Sequence, residues 1–246
     1  MGGSGLIQGD RKTNVLYAVL AKIADAVFPY IPKCVCCGTE KGVDEYLCPR
    51  CKQELESFRA GESHIEGIKA FSLYNYDGPI KSIVTGYKYG GRKWLSRFIG
   101  GEMGKQLKSL RCVIDCVCNV PLHEKRKKMR GFDQSEEIAR YVSETAGISY
   151  ISALKRIRNT KTQTKLNERE RRENMKGAFE MAERASGNVL LVDDVLTTGA
   201  TAGECARVLK SAGAENVYVM TFARALYGGE KKKGRLRKIV GRIIDI

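Results

Sequence analysis

The most sharply defined stretch of the hydrophobic pattern lies at residues 188–212. An apolar run there meets a Thr-Thr-Gly turn signal and then a helical pattern. A run of this length before such a turn predicts a strand that is buried on both faces and leads into a βα turn. Thr197 and Thr198 are candidate caps of the following helix, and Gly199 would let the backbone come close to a ligand.

The rest of the chain alternates between strand and helix signals, which is typical of an α/β protein. The predicted elements are a strand at residues 68–76, a helix from about Pro79, a helix at 94–110, a strand at 112–120, a helix capped by Asp133 and a strand at 216–223. Asp133 and Glu136 have the spacing of a capping box. We interpret residues 112–120 as the first strand of the main sheet.

Composition narrows the possible partners. The chain has 246 residues, 43% of them hydrophobic, and a formal net charge of +15. Such an excess attracts polyanions, which include nucleic acid, nucleotide phosphates and acidic membranes, and it does not choose among them. No apolar run approaches the roughly 20 residues of a membrane span. The N-terminus has no secretory pattern, so we expect a cytoplasmic protein with reduced or metal-bound thiols.

Two C-x-x-C knuckles lie near the N-terminus, separated by ten residues. Four thiolates from two such turns can close tetrahedrally on one Zn²⁺, so we predict a structural zinc site. The alternatives are a redox dithiol pair and unliganded thiols. Cys36 either replaces Cys37 as a ligand by a register shift or packs nearby. The predicted ligands are Cys34, Cys37, Cys48 and Cys51.

Two acids precede the Thr-Thr-Gly turn. Asp193 and Asp194 are suited to accept hydrogen bonds from sugar hydroxyls and to anchor Mg²⁺ indirectly. The amides after them would open a helix, where an anion such as a phosphate monoester is favoured. Together these groups suit a ribose 5-phosphate, whereas the simpler alternative is that the acids only cap the turn. The predicted phosphate cradle is Thr197, Thr198, Gly199, Ala200 and Thr201.

A basic segment follows the strand predicted at residues 112–120. It carries five cations within six positions, including Lys125, Arg126 and Arg130. Because ligands bind at the carboxyl ends of strands in open α/β sheets, we expect this loop to neutralise a diphosphate; the alternative is a solvated basic turn. Lys88 either contacts a phosphate or base, or is a solvated lysine at a helix end. His123 is either an acid or base, or a hydrogen-bonding surface residue.

The turn LLVDDVLTTGAT at residues 190–201 resembles the phosphoribosyl diphosphate (PRPP) loop of type I phosphoribosyltransferases. With the cysteine knuckles and further matching positions, the chain resembles the ComF/GntX (ComFC-like) family from about residue 16 to Arg224. The chain departs from that family at Asn119 and Asp133. The further matching positions are 121–123, 130–134, Arg156, Gln163, Leu166, Arg171, Asn174 and 177–179.

The resemblance implies a type I phosphoribosyltransferase-like α/β fold with a central, mostly parallel sheet flanked by helices. It also implies a four-cysteine zinc-ribbon module, PRPP with Mg²⁺ as ligand, and a part in DNA uptake during natural competence. Asp193 and Asp194 would be the ribose-binding, catalytic acids. The segments implied are a tail and short helix (1–28), a zinc-ribbon module (29–60), a hood-like subdomain (61–110), the core (111–229) and a basic tail (230–246).

Three functions follow from these features. The first is phosphoribosyl transfer to an acceptor that the sequence does not identify. The second is a non-catalytic competence factor that binds single-stranded DNA through cations and aromatic faces. The third is a regulator that senses PRPP. Competence or DNA-uptake proteins are possible partners in each case. The candidate aromatic residues are Tyr87, Tyr89, Trp94 and Phe132.

Overall fold

The structure is a computed structural model that describes residues 33–110, 112–160 and 168–226. The chain divides into two compact units, Met1–Cys51 and Lys52–Ile246. The helices are α1 Pro49–Glu56, α2 Gly78–Tyr89, α3 Leu95–Ser109, α4 Glu124–Arg130, α5 Gln134–Ala146, α6 Glu168–Met175 and α7 Ala200–Ser211. The strands are β1 Arg59–Ile65, β2 Ile68–Asn75, β3 Cys116–Asn119, β4 Leu154–Arg156, β5 Phe179–Met181, β6 Gly187–Leu196 and β7 Ala214–Arg224.

The second unit is built on a five-stranded sheet in the order β1-β2-β7-β6-β3. Strands β2, β7, β6 and β3 are parallel, and β1 adds an antiparallel edge. The expected central, mostly parallel sheet is therefore confirmed. Because parallel strands end at the same edge of a sheet, the segments that follow β3, β6 and β7 emerge on one side. A separate two-stranded sheet pairs β4 with β5.

Helices cover both faces of the sheet. Val189 and Leu191 of β6 share a buried cluster with Ala206 and Leu209 of α7. Successive side chains of a strand point to opposite faces, so the buried Leu190 lies on the other face, where α5 contacts β6. This double cover explains why β6 reads as a continuous apolar run instead of an alternating one.

Two glycines allow α3 and α5 to pack closely. A Cβ at Gly100 would lie 2.5 Å from the Cβ of Tyr141, and one at Gly104 would lie 2.5 Å from the Cβ of Thr145. Real Cβ contacts are not this short, so any larger residue would push the helices apart. The close contact fixes the position of α5, whose N-terminus carries the Asp133 cap.

The structure corrects three sequence expectations. Residues 61–110 do not form a separate hood, because β2 is hydrogen-bonded to β7 within the main sheet. Consequently residues 112–120 do not supply the first strand of that sheet, and the strand is limited to Cys116–Asn119. The basic segment at residues 125–130 is a helix, α4, and not a loop.

Several expectations lie outside the described residues. They concern the short N-terminal helix within residues 1–28, the matching positions Gln163 and Leu166, and the basic tail at residues 230–246. The described residues include both cysteine knuckles, the acidic pair, the threonine-rich turn and the basic segment at residues 125–130.

Candidate functional site

The acidic pair lies near the carboxyl end of β6. Asp193 is in register with Thr221 of β7, whose hydroxyl lies 2.8 Å from that of Ser72 on β2. The amide of Asp194 donates to the carboxylate of Asp193 at 2.8 Å. Both acids are held by the sheet, since β6 continues to Leu196 beyond them. The pair is therefore positioned by backbone pairing and not by a flexible loop.

Lys88 neutralises one of the two acids. Its ammonium, in the last turn of α2, lies 2.8 Å from a carboxylate oxygen of Asp194, and the two side chains are 22% and 10% exposed. Burial opposes the charge of Lys88, but Asp194 outweighs it and raises the pKa of the ammonium. Of the two alternatives left by the sequence, the solvated lysine is wrong. Lys88 completes the acidic site.

Lys88 compensates the charge of Asp193 only in part. Burial, reinforced by the charge of Asp194, raises the pKa of Asp193 well above the ordinary carboxylate range, and Lys88 offsets only part of this rise. Hydrogen-bond donors or positive charge from a ligand would stabilise the charged form of this carboxylate. Sugar hydroxyls and a metal-bound water are such groups.

The turn after β6 opens α7 through Gly199. Gly199 is the N-cap, with φ 81°, and no side chain caps the helix, so the expected capping by Thr197 or Thr198 is wrong. The first amides of a helix have no partner within it. Thr197 is exposed, whereas the Thr198 hydroxyl is buried and has no hydrogen-bond partner within the described residues. The Thr198 hydroxyl and the N-terminal amides of α7 can therefore both donate hydrogen bonds to an anion.

The tip of the β1–β2 hairpin forms the opposite wall of this site. A Cβ at Gly199 would lie 2.1 Å from Cγ2 of Ile65, so the hairpin packs directly on the turn. Glu66 follows Ile65 with φ 50°. Its carboxylate forms an ion pair with Arg172 of α6, with 3.2 Å between the two groups. The hairpin covers one side of Gly199 but leaves Thr197 exposed.

A cleft of about 250 Å³ opens between these elements. Two buried hydroxyls in its wall, those of Ser63 and Thr198, have no hydrogen-bond partner in the described part of the chain. Sequence reasoning missed the hairpin side of this cleft, because nothing in the pattern of β1 indicates that its end reaches α7. The lining residues are Ser63, His64, Ile65, Glu66, Arg172, Leu196, Thr197, Thr198, Arg224 and Ala225.

The cations of α4 are not equivalent. Lys127 pairs with Glu136 at 3.1 Å, and Arg130 donates to the side chain of Gln134 at 2.9 Å. Arg126 instead donates to the carbonyl of Thr160 at 3.1 Å. Lys125 and Lys128 are exposed. The helix therefore directs one cation inward and ties two others to α5.

His123 begins α4. Its Nδ1 accepts from the amide of Lys125 at 3.2 Å, so the imidazole caps the helix. Of the two alternatives, this geometry supports the hydrogen-bonding role.

The two positions that depart from the family pattern are both anchored. Asn119 is buried, and its side-chain oxygen accepts from the hydroxyl of Tyr150 at 2.8 Å. Asp133 caps α5 by accepting from the amide of Glu136, as expected, and its second oxygen accepts from the amide of Leu122 at 2.7 Å. Burial raises the pKa of Asp133, although these donors oppose the rise. Asp133 thus ties the segment after β3 to α5.

The aromatic candidates separate into two groups. Tyr87 is fully buried, donates to the carbonyl of Gln134 at 2.7 Å and packs against Phe132. Tyr89 and Trp94 are 73% and 49% exposed, and the guanidinium of Arg130 lies 5.4 Å from the centre of the Tyr89 ring. Among the four candidates, Tyr89 and Trp94 are therefore the most exposed, whereas Phe132 is half-buried.

The four cysteines of the two knuckles come together in the first unit. The sulfur atoms of Cys34, Cys37, Cys48 and Cys51 all lie within 4.8 Å of one another, and those of Cys37 and Cys48 are 3.8 Å apart. Gly38, with φ 73°, makes the turn that donates its amide to the carbonyl of Cys34. This cluster can hold a metal ion. Cys36 is not a member of it.

Comparison with known proteins gives consistent results. The family described as Phosphoribosyl transferase domain matches residues 108–244. Competence protein F of Haemophilus influenzae is 28% identical over 80% of this chain and 86% of its own length. DNA utilization protein YhgH of Escherichia coli O157:H7 is 30% identical (78% and 90%), and Competence protein ComFC of Streptococcus pneumoniae is 27% identical (77% and 86%). Among the described residues, no helix is long and apolar enough to cross a membrane.

Proposed function

Because the chain belongs to the phosphoribosyl transferase domain family, and within it to the competence protein F and ComFC group, we propose that it binds PRPP or a nucleotide 5-phosphate. We further propose that it does so in the cytoplasm, as part of DNA uptake or utilisation. The names of the relatives support the process, and the four-cysteine cluster, which needs reduced thiols to hold a metal, favours a reducing compartment.

One observation carries this proposal. At the end of β6, the adjacent carboxylates of Asp193 and Asp194 lie just before a helix opening at which the Thr198 hydroxyl is buried and has no partner among the described residues. One ligand that brings both hydroxyl donors and a phosphate would satisfy both groups. A ribose 5-phosphate has this chemistry, with its ring hydroxyls toward the acids and its phosphate toward residues 197–201.

The same arrangement suits phosphoribosyl transfer. The bond between the anomeric carbon and the diphosphate oxygen would break, with the electron pair leaving on diphosphate, and a bond to an acceptor would replace it. Asp193 and Asp194 would hold the ribose while positive charge develops on its ring. The two carboxylates are the groups that would hold Mg²⁺, which would supply positive charge against the diphosphate.

We propose Zn²⁺ as the ion of the four-cysteine cluster, in a structural role. Four sulfurs at about 2.3 Å from a tetrahedral zinc lie about 3.8 Å apart. The separation of Cys37 and Cys48 agrees with this value. A site in which protein ligands fill all four positions leaves none for a substrate, so the ion would organise the first unit and take no part in chemistry.

Titration calorimetry with PRPP and Mg²⁺ tests the main proposal. We expect binding that falls by about tenfold or more in Asp193→Asn and Asp194→Asn, since each removes a charged acceptor. The matched control is Asp115→Asn, because Asp115 is an exposed acid next to the opposite end of β6. Absence of binding by the folded protein, or binding that both site variants retain, would contradict the proposal.

A second candidate is a non-catalytic factor for single-stranded DNA. The exposed rings of Tyr89 and Trp94, with Arg130 beside the first, favour it, since stacking on aromatic residues near cations is how single strands are bound. Measuring diphosphate release with candidate acceptors separates the functions. Release supports transfer, PRPP binding alone supports a sensor, and oligonucleotide binding lost in Tyr89→Ala but kept in Asp193→Asn supports the DNA-binding factor.

A further inference from the structure

Lys88 lies at a junction of three elements. It belongs to the last turn of α2, and its ammonium lies 2.8 Å from a carboxylate oxygen of Asp194 on β6. The residue before it, Tyr87, is fully buried and donates its hydroxyl to the backbone carbonyl of Gln134, the first residue of α5, at 2.7 Å. The end of α2 is therefore fixed by α5 in a place from which Lys88 reaches the acidic pair.

Further contacts on both sides of Lys88 hold the end of α2. The ring centres of Tyr87 and Phe132 are 5.7 Å apart, and the guanidinium carbon of Arg130 lies 5.4 Å from the centre of the Tyr89 ring. None of these contacts involves Asp194. The backbone at Lys88 is thus positioned independently of the ion pair, which lowers the entropy cost of forming it.

The ion pair between Lys88 and Asp194 is enclosed. The two side chains are 22% and 10% exposed, whereas those of the Lys127–Glu136 pair are 44% and 25% exposed. Salt and water screen an enclosed pair of charges less than a pair at the surface. The ammonium of Lys88 is therefore a strong local charge at the end of β6, both toward Asp194 and toward any ion that enters the site.

The acidic pair needs positive charge from some source. Asp193 and Asp194 are successive residues, and the amide of Asp194 donates to the carboxylate of Asp193 at 2.8 Å. Like charges this close repel each other, and either a divalent cation with oxygen ligands or a side-chain ammonium can relieve the repulsion. The protein supplies the second of these at Asp194, and it leaves the Asp193 carboxylate for a ligand.

We propose that Lys88 is a positioning residue that takes the place of a divalent cation at the acidic pair of the free protein. Its ammonium holds Asp194 and repels a metal ion, while Asp193 accepts hydrogen bonds from the hydroxyls of a sugar phosphate. The sugar phosphate rests on the proposed function, whereas the exclusion of metal does not. A Mg²⁺ ion that enters with PRPP has diphosphate oxygens as further ligands and is compatible with this role. The role differs from direct contact of Lys88 with a phosphate or base.

Mn²⁺ binding to the full-length protein, followed by electron paramagnetic resonance without PRPP, tests the exclusion of metal. Mn²⁺ takes the same oxygen ligands as Mg²⁺. Lys88→Met removes the charge at similar side-chain length, so it should bind Mn²⁺ at least about tenfold more tightly than the wild type. This gain should disappear in Lys88→Met/Asp194→Asn. Lys81→Met is the matched control, because Lys81 is an exposed lysine of the same helix, and it should behave like the wild type.

Calorimetry with ribose 5-phosphate, with and without added Mg²⁺, gives the second measurement. The wild type should bind equally well in both conditions, within about twofold. Lys88→Met should bind about tenfold or more weakly without Mg²⁺, and added Mg²⁺ should restore most of this loss, because it replaces the missing ammonium. Lys88→Arg keeps the charge and should keep the metal-free affinity. A purely structural role of Lys88 would instead give a loss that Mg²⁺ does not restore.

The two measurements separate the inference from the proposed function. Equal Mn²⁺ binding by the wild type and Lys88→Met would overturn the inference, even where ribose 5-phosphate binds through Asp193. A gain of Mn²⁺ binding in Lys88→Met, in a protein that does not bind ribose 5-phosphate, would support the role of Lys88 and remove the proposed function. Thermal melts check folding. If Lys88→Met is unfolded, the wild type decides, because Mn²⁺ binding that Asp194→Asn removes contradicts the inference and its absence supports it.

Discussion

Asp193 is a side chain whose burial costs stability and whose proposed role is ligand binding. Its pKa is raised by burial and by Asp194, so the folded protein holds the proton more tightly than the unfolded chain does. The penalty is absent below the unfolded pKa of about 4 and grows as the pH rises through the raised value. Asp193→Asn should therefore raise the free energy of unfolding by about 1 kcal/mol or more at alkaline pH, although the same change is expected to weaken the proposed PRPP binding.

Urea denaturation across a pH series measures this effect. The wild-type protein should lose stability from this group as the pH rises, and the difference from Asp193→Asn should shrink toward acidic pH. Asp115→Asn is again the control, since Asp115 is exposed. A variant that is less stable than the wild type at every pH would mean that the carboxylate is satisfied in the folded protein.

At this scale the sequence was informative about residue types and uninformative about partners. The order of two acids, threonines and a glycine after an apolar run predicted where β6 ends and where its polar groups lie. It did not predict that Lys88 would pair with Asp194, because the two come from elements far apart in the chain. Nor did it separate buried Tyr87 from exposed Tyr89, which are two positions apart on the end of one helix.

At the scale of elements, the contact between the β1–β2 hairpin and the start of α7 is the most demanding. Gly199→Ala should destabilise the protein by about 2–4 kcal/mol, because it combines a left-handed φ with a Cβ that would lie 2.1 Å from Ile65. The matched control is Gly147→Ala, which has a similar φ of 74° and no atom within 4 Å of the new Cβ. Strain alone should cost that control about 1 kcal/mol.

A double variant isolates the steric part. Ile65→Ala removes the methyl groups that a Cβ at position 199 would meet, so part of the Gly199→Ala loss should return in the double variant, measured by denaturant unfolding. If the losses in free energy of unfolding are additive, the contact between Ile65 and the new Cβ does not contribute to the loss. The hairpin would then move away from α7 without a measurable loss of stability.

The long central strands and the helices that cover them were predicted, whereas the shorter elements were not: α1, α4, α6, β1, β4 and β5. The strand β2 and the helix α3 begin and end within about one residue of the predicted bounds, and α2 begins next to its predicted start at Pro79. Helix α4 has seven residues, none of them buried, and carries five cations that repel one another. It is specified by its ends instead, with His123 capping its start and Gly131 closing it at φ 79°.

At the scale of the whole molecule, the first unit contains the cluster of four cysteine sulfur atoms, for which we proposed zinc. Elemental analysis of protein purified without chelator should find about one zinc per chain, and Cys37→Ser should lose it because three ligands cannot close the site. Cys36→Ser is the matched control, as Cys36 lies outside the cluster and its change should leave the metal content intact. Loss of zinc in Cys36→Ser with retention in Cys37→Ser would support the register shift that the sequence left open.

The division of the chain into units was predictable only in part. The spacing of the cysteines indicated a separate module near the N-terminus, because metal knuckles are local in sequence. The place of residues 61–110 was not indicated, since a strand that pairs within a hood and one that joins the main sheet have the same local pattern. Only the pairing of β2 with β7 settles it, and that contact spans most of the chain.

That pairing also sets the order in which the molecule is completed. Strand β2 needs β7 as its neighbour on the inner side of the sheet, yet β7 is the last strand of the sheet to leave the ribosome. Until it arrives, the β1–β2 hairpin has only its own two strands, and isolated hairpins are marginal in water. Sheets closed by such distant pairs form slowly and expose their edges meanwhile. Nascent chains that stop before residue 214 should therefore be clients of chaperones.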